Sequence, residues 1–211
     1  MWLILTILCV ALLRYLDPPT SAFILRDRIS GDHPVRHEWV DWERIAGPMK
    51  VAVIASEDQT FPDHYGFDLK SIDKALAERE RGRVRGASTI SQQVAKNLFL
   101  WSGRSWIRKG LEAYFTVLIE LMWPKQRILE VYLNIAEFGR GIYGVGAASE
   151  AFFRKPAARL TSYDAALLAA VLPNPKRLRA NAPSRYVRSR QEWIMRQMRG
   201  IGGTGVLERL E

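Results

Sequence analysis

Apolar residues recur at helical spacing through most of this chain and nowhere at the two-residue spacing of a strand. Residues 106 to 122 set Ile107, Leu111, Phe115, Leu118 and Met122 along one helical face, and Ile128, Leu129, Tyr132, Leu133 and Ala136 repeat the pattern after Pro124. Further helices are predicted from Gly47-Pro48 to Glu57, over 71–81, from Thr89 onward, over 147–153, over 163–172 up to Pro173-Asn174-Pro175, and over 184–199. Trp39 and Trp42 are spaced as neighbours on a helical face. With no sustained period-two segment and no hairpin signal, the fold is read as mainly α. A chain of 211 residues with 48% hydrophobic content can bury a full core, as one domain or one with a smaller lobe.

The N-terminus, residues 2 to 13, is almost wholly apolar, and Tyr15 and Leu16 extend the run past Arg14. A membrane-spanning helix needs about 20 apolar residues and a signal-peptide core about 7 to 15. There is no positive leader and no small-x-small cleavage site, so a transmembrane anchor whose start lies upstream of the first Met is preferred to a cleaved signal. Asp17-Pro18-Pro19-Thr20-Ser21 ends that helix, because paired prolines cannot continue it. The expected organisation is an anchor at 1–16, a juxtamembrane connector at 17–44, a main domain at 45–200 and a tail at 201–211.

Lys and Arg total 31 against 22 Asp and Glu, a net charge of +9. That balance favours an anionic partner without choosing among nucleic acid, phospholipid headgroups and phosphorylated substrates. Cys9 is the single cysteine, which excludes an intrachain disulfide and any cysteine-based metal cluster.

Glu57-Asp58-Gln59-Thr60-Phe61-Pro62-Asp63-His64-Tyr65-Gly66-Phe67-Asp68 is an acidic, aromatic and His-bearing stretch directly after an apolar helix. Carboxylates at such an edge can hold their protons more tightly than usual. Further on, Thr89 and Gln92 have capping-box spacing, and backbone N–H groups at such a helix start can receive an anion. The set Glu57, Lys96, Arg104, Arg108, Lys109 and Glu112 puts a cationic segment between two carboxylates. A glycosidase must protonate a poor alkoxide leaving group. A diphosphate leaving group needs positive charge instead. The competing reading is an ordinary solvated face, since Arg108 and Lys109 stand at salt-bridge spacing from Glu112.

Two other pattern matches carry no function. Gly139-Arg140-Gly141-Ile142-Tyr143-Gly144 fits a dinucleotide fingerprint but follows a helix rather than a strand. Ser71-Ile72-Asp73-Lys74 fits the motif of penicillin-binding serine enzymes, yet no Lys-Thr-Gly or Ser-Asp-Asn accompanies it.

Five ordered motifs resemble the peptidoglycan glycosyltransferases, found alone in monofunctional biosynthetic transglycosylases and as the N-terminal domain of bifunctional penicillin-binding proteins. The resemblance covers about residues 45 to 185. The first motif is met by Glu57, Asp58, Phe61, His64, Gly66 and Asp68, and the second by residues 86 to 97, with Ala87 and Ser91 as departures. The third is Arg108-Lys109-Gly110-Leu111-Glu112. The fourth runs over 125–134 with glycines at 139, 141, 144 and 146, and the fifth covers Leu168 to Pro175.

The resemblance implies a lysozyme-like, mainly α glycosyltransferase domain with a smaller membrane-facing lobe, preceded by the anchor. It implies lipid II, a disaccharide-peptide on undecaprenyl diphosphate, and the growing glycan strand as substrates, with inversion at the donor's anomeric carbon. Glu57 matches the general base, Glu112 the second required carboxylate, and Lys96 and Arg104 the holders of the diphosphate. Arg108 and Lys109 are expected to position Glu112 or add positive field, and Gln92, Asn97, Ser88 and Thr89 to contact substrate. No tightly bound cofactor and no metal-ligand cluster are expected. A divalent cation, Mg or Mn, fits the family's use, with Asp58 as one candidate to approach it. Leu98 to Trp101 and Trp106 are candidates for the membrane interface.

The implied place is the periplasmic side of an inner membrane, single-pass, with lipids and cell wall synthesis or division proteins as partners and no nucleic acid. Since the chain ends soon after the fifth motif, the monofunctional form is expected, with other proteins cross-linking its product. A lytic glycosidase and a non-enzymatic basic scaffold remain as alternatives.

Overall fold

The computed structural model describes residues 1–69, 73, 88–103 and 105–210. All but Asp73 of the helix expected over 71–81 lies outside the described residues. Elsewhere the chain is mainly helical. The helices are α1 (Trp2–Leu13), α2 (Ala22–Ser30), α3 (Gly47–Glu57), α4 (Ile90–Phe99), α5 (Trp106–Met122), α6 (Lys125–Ile135), α7 (Val145–Phe153), α8 (Ser162–Val171) and α9 (Arg185–Gly200).

Helix α3 is the centre of the packing. Every residue from Met49 to Ala55 is buried, and α8 is likewise buried from Asp164 to Val171. Helices covered on all sides need no polar face, which is why both read as apolar runs rather than stripes. Helix α3 packs against α8 and α9, while α4 packs against α5 and α6. Ile54, Ile119, Ile128 and Leu129 are fully buried, each contributing about 1.5–3 kcal/mol.

A small three-stranded sheet, order β1-β3-β2, was not expected. Strand β1 (Arg36–His37) pairs in parallel with β3 (Ile142–Tyr143), which pairs antiparallel with β2 (Glu137–Gly139). Strands this short carry no alternation to detect. The glycines of the rejected dinucleotide pattern build this hairpin. Gly144 has φ +80, and a Cβ there would lie 2.7 Å from the Asn134 carbonyl oxygen.

Of the connector expected at 17–44, the residues from α2 onward pack into the body. Helix α2 lies against α4, and the buried Asn134 side chain exchanges two hydrogen bonds with the Val40 backbone, at 2.8 and 2.9 Å. Trp39 and Trp42 do not share a helix. Residues 38–41 belong to no helix, and Trp42 opens a 3₁₀ turn (Trp42–Arg44) with its ring 3.7 Å from the Lys50 ammonium. Nor is the C-terminal segment a loose tail. Gly203–Leu210 forms 3₁₀ turns against α3 and buries Val206 and Leu210.

The segment expected to span a membrane is the 12-residue α1, about 18 Å long against a hydrocarbon core of about 30 Å. No described helix is long and apolar enough to cross a membrane. Helix α1 docks along α5, with Thr6 Oγ1 2.8 Å from the Tyr114 hydroxyl and Trp123 Nε1 donating to the Val10 carbonyl at 2.8 Å. Arg127 donates to the Leu13 and Leu16 carbonyls and pairs with Asp17. A cation at those unpaired carbonyls caps the C-terminal end of the segment.

Candidate active site

Glu57 is the last residue of α3 and its side chain is 15% exposed, so the buried helix delivers it to the edge of the core. Gln93 Nε2 donates to Glu57 Oε2 at 3.1 Å, and the Arg190 guanidinium lies 3.9 Å from Oε1. Tyr132, fully buried beneath, directs its hydroxyl to Gln93 Oε1 at 3.4 Å. That contact turns the amide N–H₂ of Gln93 toward the carboxylate.

Burial pushes the proton affinity of Glu57 up, and the negative charge of Asp58 adds to the rise. The Gln93 hydrogen bond and the positive charges of Arg190 and Lys96 act against it without cancelling it. The result is a carboxyl that holds a proton more tightly than an ordinary glutamate, the direction that suits a general base.

Asp58 faces away from this cleft. Its Oδ2 accepts from the backbone N–H of Ile90 at 3.0 Å, and His64 Nε2 lies 3.0 Å from both carboxylate oxygens. Because the Gly66 N–H donates to His64 Nδ1 at 3.1 Å, the imidazole proton sits on Nε2 and points at Asp58. Asp58 thus ties the first motif to the start of α4 as an internal anion.

Thr89 and Gln92 form the predicted capping box, and the Thr89 hydroxyl also donates to the Gly66 carbonyl at 2.7 Å. Their polar atoms are spent on holding α4. The anion at this helix start is the Asp58 carboxylate, not a ligand. Ser88 is exposed just before the cap, and Asn97 is half-buried beside Lys96.

Helix α4 therefore presents Gln93 and Lys96 to the cleft. Burial lowers the proton affinity of Lys96, the positive charges of Arg108 and Lys109 lower it further, and Glu112 and Glu57 raise it. The ammonium thus lies within electrostatic reach of both carboxylates. Glu112 is buried on α5 and clasped by Arg108 Nη1 and Lys109 Nζ, each at 2.5 Å. The spacing that suggested a solvated face is a desolvated one for Glu112, while Lys109 stays 47% exposed. Arg104 lies outside the described residues.

Mg-type ions are commonly held by one or two carboxylates together with substrate phosphates and waters. Of the candidate carboxylates, Asp58 is engaged by His64 and Ile90 and Glu112 by its two cations. Among the described residues no group of three or more His, Cys, Asp or Glu side chains could hold a metal ion.

Gln93, Tyr132 and Arg190 were not singled out from the sequence. Arg190 had a legible signal. It falls between Val187, Gln191 and Ile194, the buried face of α9, where an unpaired arginine is out of place unless a carboxylate awaits it.

A family model described as Transglycosylase matches residues 25–199. The chain belongs to the transglycosylase family. It is 60% identical over 206 residues to a biosynthetic peptidoglycan transglycosylase of Klebsiella oxytoca, an alignment covering 94% of this chain and 85% of that protein. A protein of the same description from Citrobacter koseri is 57% identical over 95% of this chain and 86% of its own length. Another, from Stutzerimonas stutzeri, is 54% identical over 100% of this chain and 90% of its own. The match begins within α2, and this transglycosylase domain takes in both the capping arrangement around Asp58 and the Glu57 cleft.

Proposed function

We infer that this chain is a peptidoglycan glycosyltransferase, which polymerises lipid II into β-1,4-linked glycan strands and releases undecaprenyl diphosphate. The observation that carries the reading is Glu57 at the rim of the core, with raised proton affinity and Lys96 nearby.

In the proposed reaction, Glu57 takes the proton from the 4-hydroxyl of the acceptor sugar. The freed oxygen bonds to the anomeric carbon of the growing strand from the face opposite the diphosphate, and the anomeric carbon–oxygen bond to that diphosphate breaks. The configuration inverts, and the electron pair leaves with the phosphate. Lys96 stabilises the charge that grows there, in a site where burial strengthens the attraction. Glu112, neutralised by Arg108 and Lys109, holds those cations along the same wall.

The apolar outer faces of α1 and α5 support a membrane-facing lobe beside the larger body. Leu3, Ile4, Leu5, Leu8 and Leu12 on α1, and Ile107, Val117 and Leu121 on α5, are exposed, with Trp101 and Trp106 at one end. On this reading α1 belongs to the membrane anchor. The catalytic body then works on the periplasmic side of the inner membrane, where its lipid-linked substrate is presented.

The test is incubation of the purified protein and a Glu57→Gln variant with labelled lipid II, followed by gel separation of glycans. Long strands from the parent and a loss of about a thousandfold in the variant are expected. A folded Glu57→Gln protein polymerising at the parent rate would overturn the reading. Shortened glycans from purified cell wall, with none made from lipid II, would identify a lytic glycosidase instead.

A further inference from the structure

A cavity of about 320 Å³ opens between the β2–β3 hairpin, the end of α7 and the segment that follows α8. Arg140, Lys176 and Arg179 line it with Asn181, over an apolar floor that includes Phe152 and Ile142. Arg140 and Arg179 are exposed and have no carboxylate partner among the described residues. Lys176 reaches Asp27 at 3.4 Å and Glu137 at 3.8 Å, longer than the tight pairs around Glu112. The uncompensated positive charge of the pocket is therefore that of Arg140 and Arg179, Lys176 being shared with Asp27 and Glu137.

Its position relates it to the cleft. Asp27, the partner of Lys176, stands on α2 one turn beyond Phe23, whose ring lies 5.8 Å from the Lys96 ammonium. One turn of helix is about 5.4 Å. The chain of contacts from the ammonium assigned to the diphosphate to the pocket thus runs through Phe23, one turn of α2, Asp27 and Lys176.

We propose that this pocket is a subsite for the carboxylate-bearing stem peptide of the donor strand. The proposal rests on the glycosyltransferase reading and extends it to a part of the substrate that the reaction itself does not touch. The sugar next to the diphosphate carries the peptide, so an anionic chain must leave the cleft near Lys96. Two guanidinium forks match carboxylate geometry, Asn181 offers both a donor and an acceptor to a peptide backbone, and the apolar floor accepts short alkyl side chains. A lipid phosphate could satisfy the cations but would leave the amide and the floor unused.

The test pairs an Arg140→Gln/Arg179→Gln variant with two substrates: lipid II with free stem-peptide carboxylates, and lipid II in which these are amidated. Neither arginine has a partner to lose, so the fold is preserved, and circular dichroism checks this. For the parent, amidation is expected to raise KM about tenfold, the loss of one charge-assisted contact. The double variant is expected to show that same rise on the free-carboxylate substrate, no further rise on the amidated one, and kcat within about twofold of the parent. Arg185→Gln/Arg199→Gln, at exposed positions in the first and last turns of α9, is expected to behave as the parent and controls for the loss of two positive charges.

A parent that polymerises both substrates with equal KM would overturn the subsite and leave the polymerase reading standing. So would a double variant that loses equally on both, the result expected if the cations held a lipid phosphate. A parent that polymerises neither would refute the glycosyltransferase reading itself.

Discussion

Arg190, from the last long helix, places its guanidinium 3.9 Å from Oε1 of Glu57, the residue that ends α3. The pair spans elements far apart in sequence whose packing forms much of the core, so the charge environment of the proposed base depends on how α9 seats against α3. Arg190 Nε is buried without a partner, and the guanidinium carbon lies 5.8 Å from the centre of the Trp193 ring, which limits where it can move.

Replacing Arg190 with Gln removes a cation that lowers the proton affinity of Glu57. Burial already raises that affinity, so the base form is depleted as pH falls through the raised value, and activity rises with pH through it. The acid limb of kcat/KM is expected to move to higher pH in Arg190→Gln and to return most of the way in Arg190→Lys. A purely structural role would lower activity evenly across pH. A pH–rate profile of the three proteins separates the two.

Arg108 and Lys109 both bind Glu112, but they are not equivalent. The Arg108 side chain is 13% exposed and that of Lys109 47%. Loss of a buried partner leaves a buried charge uncompensated, whereas a partner in water is screened. Arg108→Ala is expected to cost about 3 kcal/mol and Lys109→Ala about 0.5 kcal/mol in urea unfolding. Adding Glu112→Gln to Arg108→Ala should recover part of the loss. Equal costs for the two single variants would contradict the burial argument.

How much of this could be read from the sequence depends on the range of the interaction involved. Long helices and the Thr89–Gln92 cap were legible because their signals are local, set by spacing and by the chemistry of a helix start. The pairing of Glu112 with Arg108 and Lys109 was legible in spacing, but not its burial, which α4 packing against α5 supplies. Contacts between distant residues left little trace. Gln93 follows the glutamine that the cap claims, and only the fold turns Gln93 to Glu57. The β1–β3 pairing was hidden for a different reason, since two residues are too few to show a period.

Asp27 gives an acid-stability prediction. Burial is the strongest single influence on it and opposes ionisation. The Tyr143 hydroxyl at 2.7 Å, Arg26 and Lys176 together outweigh burial and hold the carboxyl down at about 2, from an ordinary 3.8. Because the folded-state value is depressed, this stabilisation is present above pH 4 and lost as pH falls from about 4 toward 2. The side chain is 4% exposed, so little is lost to screening, and the contribution is roughly 2 kcal/mol. Urea unfolding at pH 6 and pH 3 should show this part of the acid sensitivity vanish in Asp27→Asn. An unchanged difference between the two pH values would count against it.

Asp58 and Asp164 allow a test of whether capping at α4 matters beyond stability. Each carboxylate accepts from a backbone N–H at a helix start, Ile90 for Asp58 and Thr161 for Asp164, and each has a second partner, His64 or Lys155. Replacing either with Asn removes a charged acceptor and is expected to cost about 1.5–3 kcal/mol in urea unfolding. Only α4 carries Gln93 and Lys96, so only Asp58→Asn should loosen the groups that face Glu57. Asp58→Asn is therefore expected to lower kcat by about tenfold or more, while Asp164→Asn, at matched loss of stability, leaves it within about twofold. Amide exchange at residues 90–93 should quicken in the first variant and stay at the parent rate in the second. If both variants lose the same kcat for the same loss of stability, Asp58 acts on the fold alone, and the geometry of the cleft does not depend on how α4 is anchored.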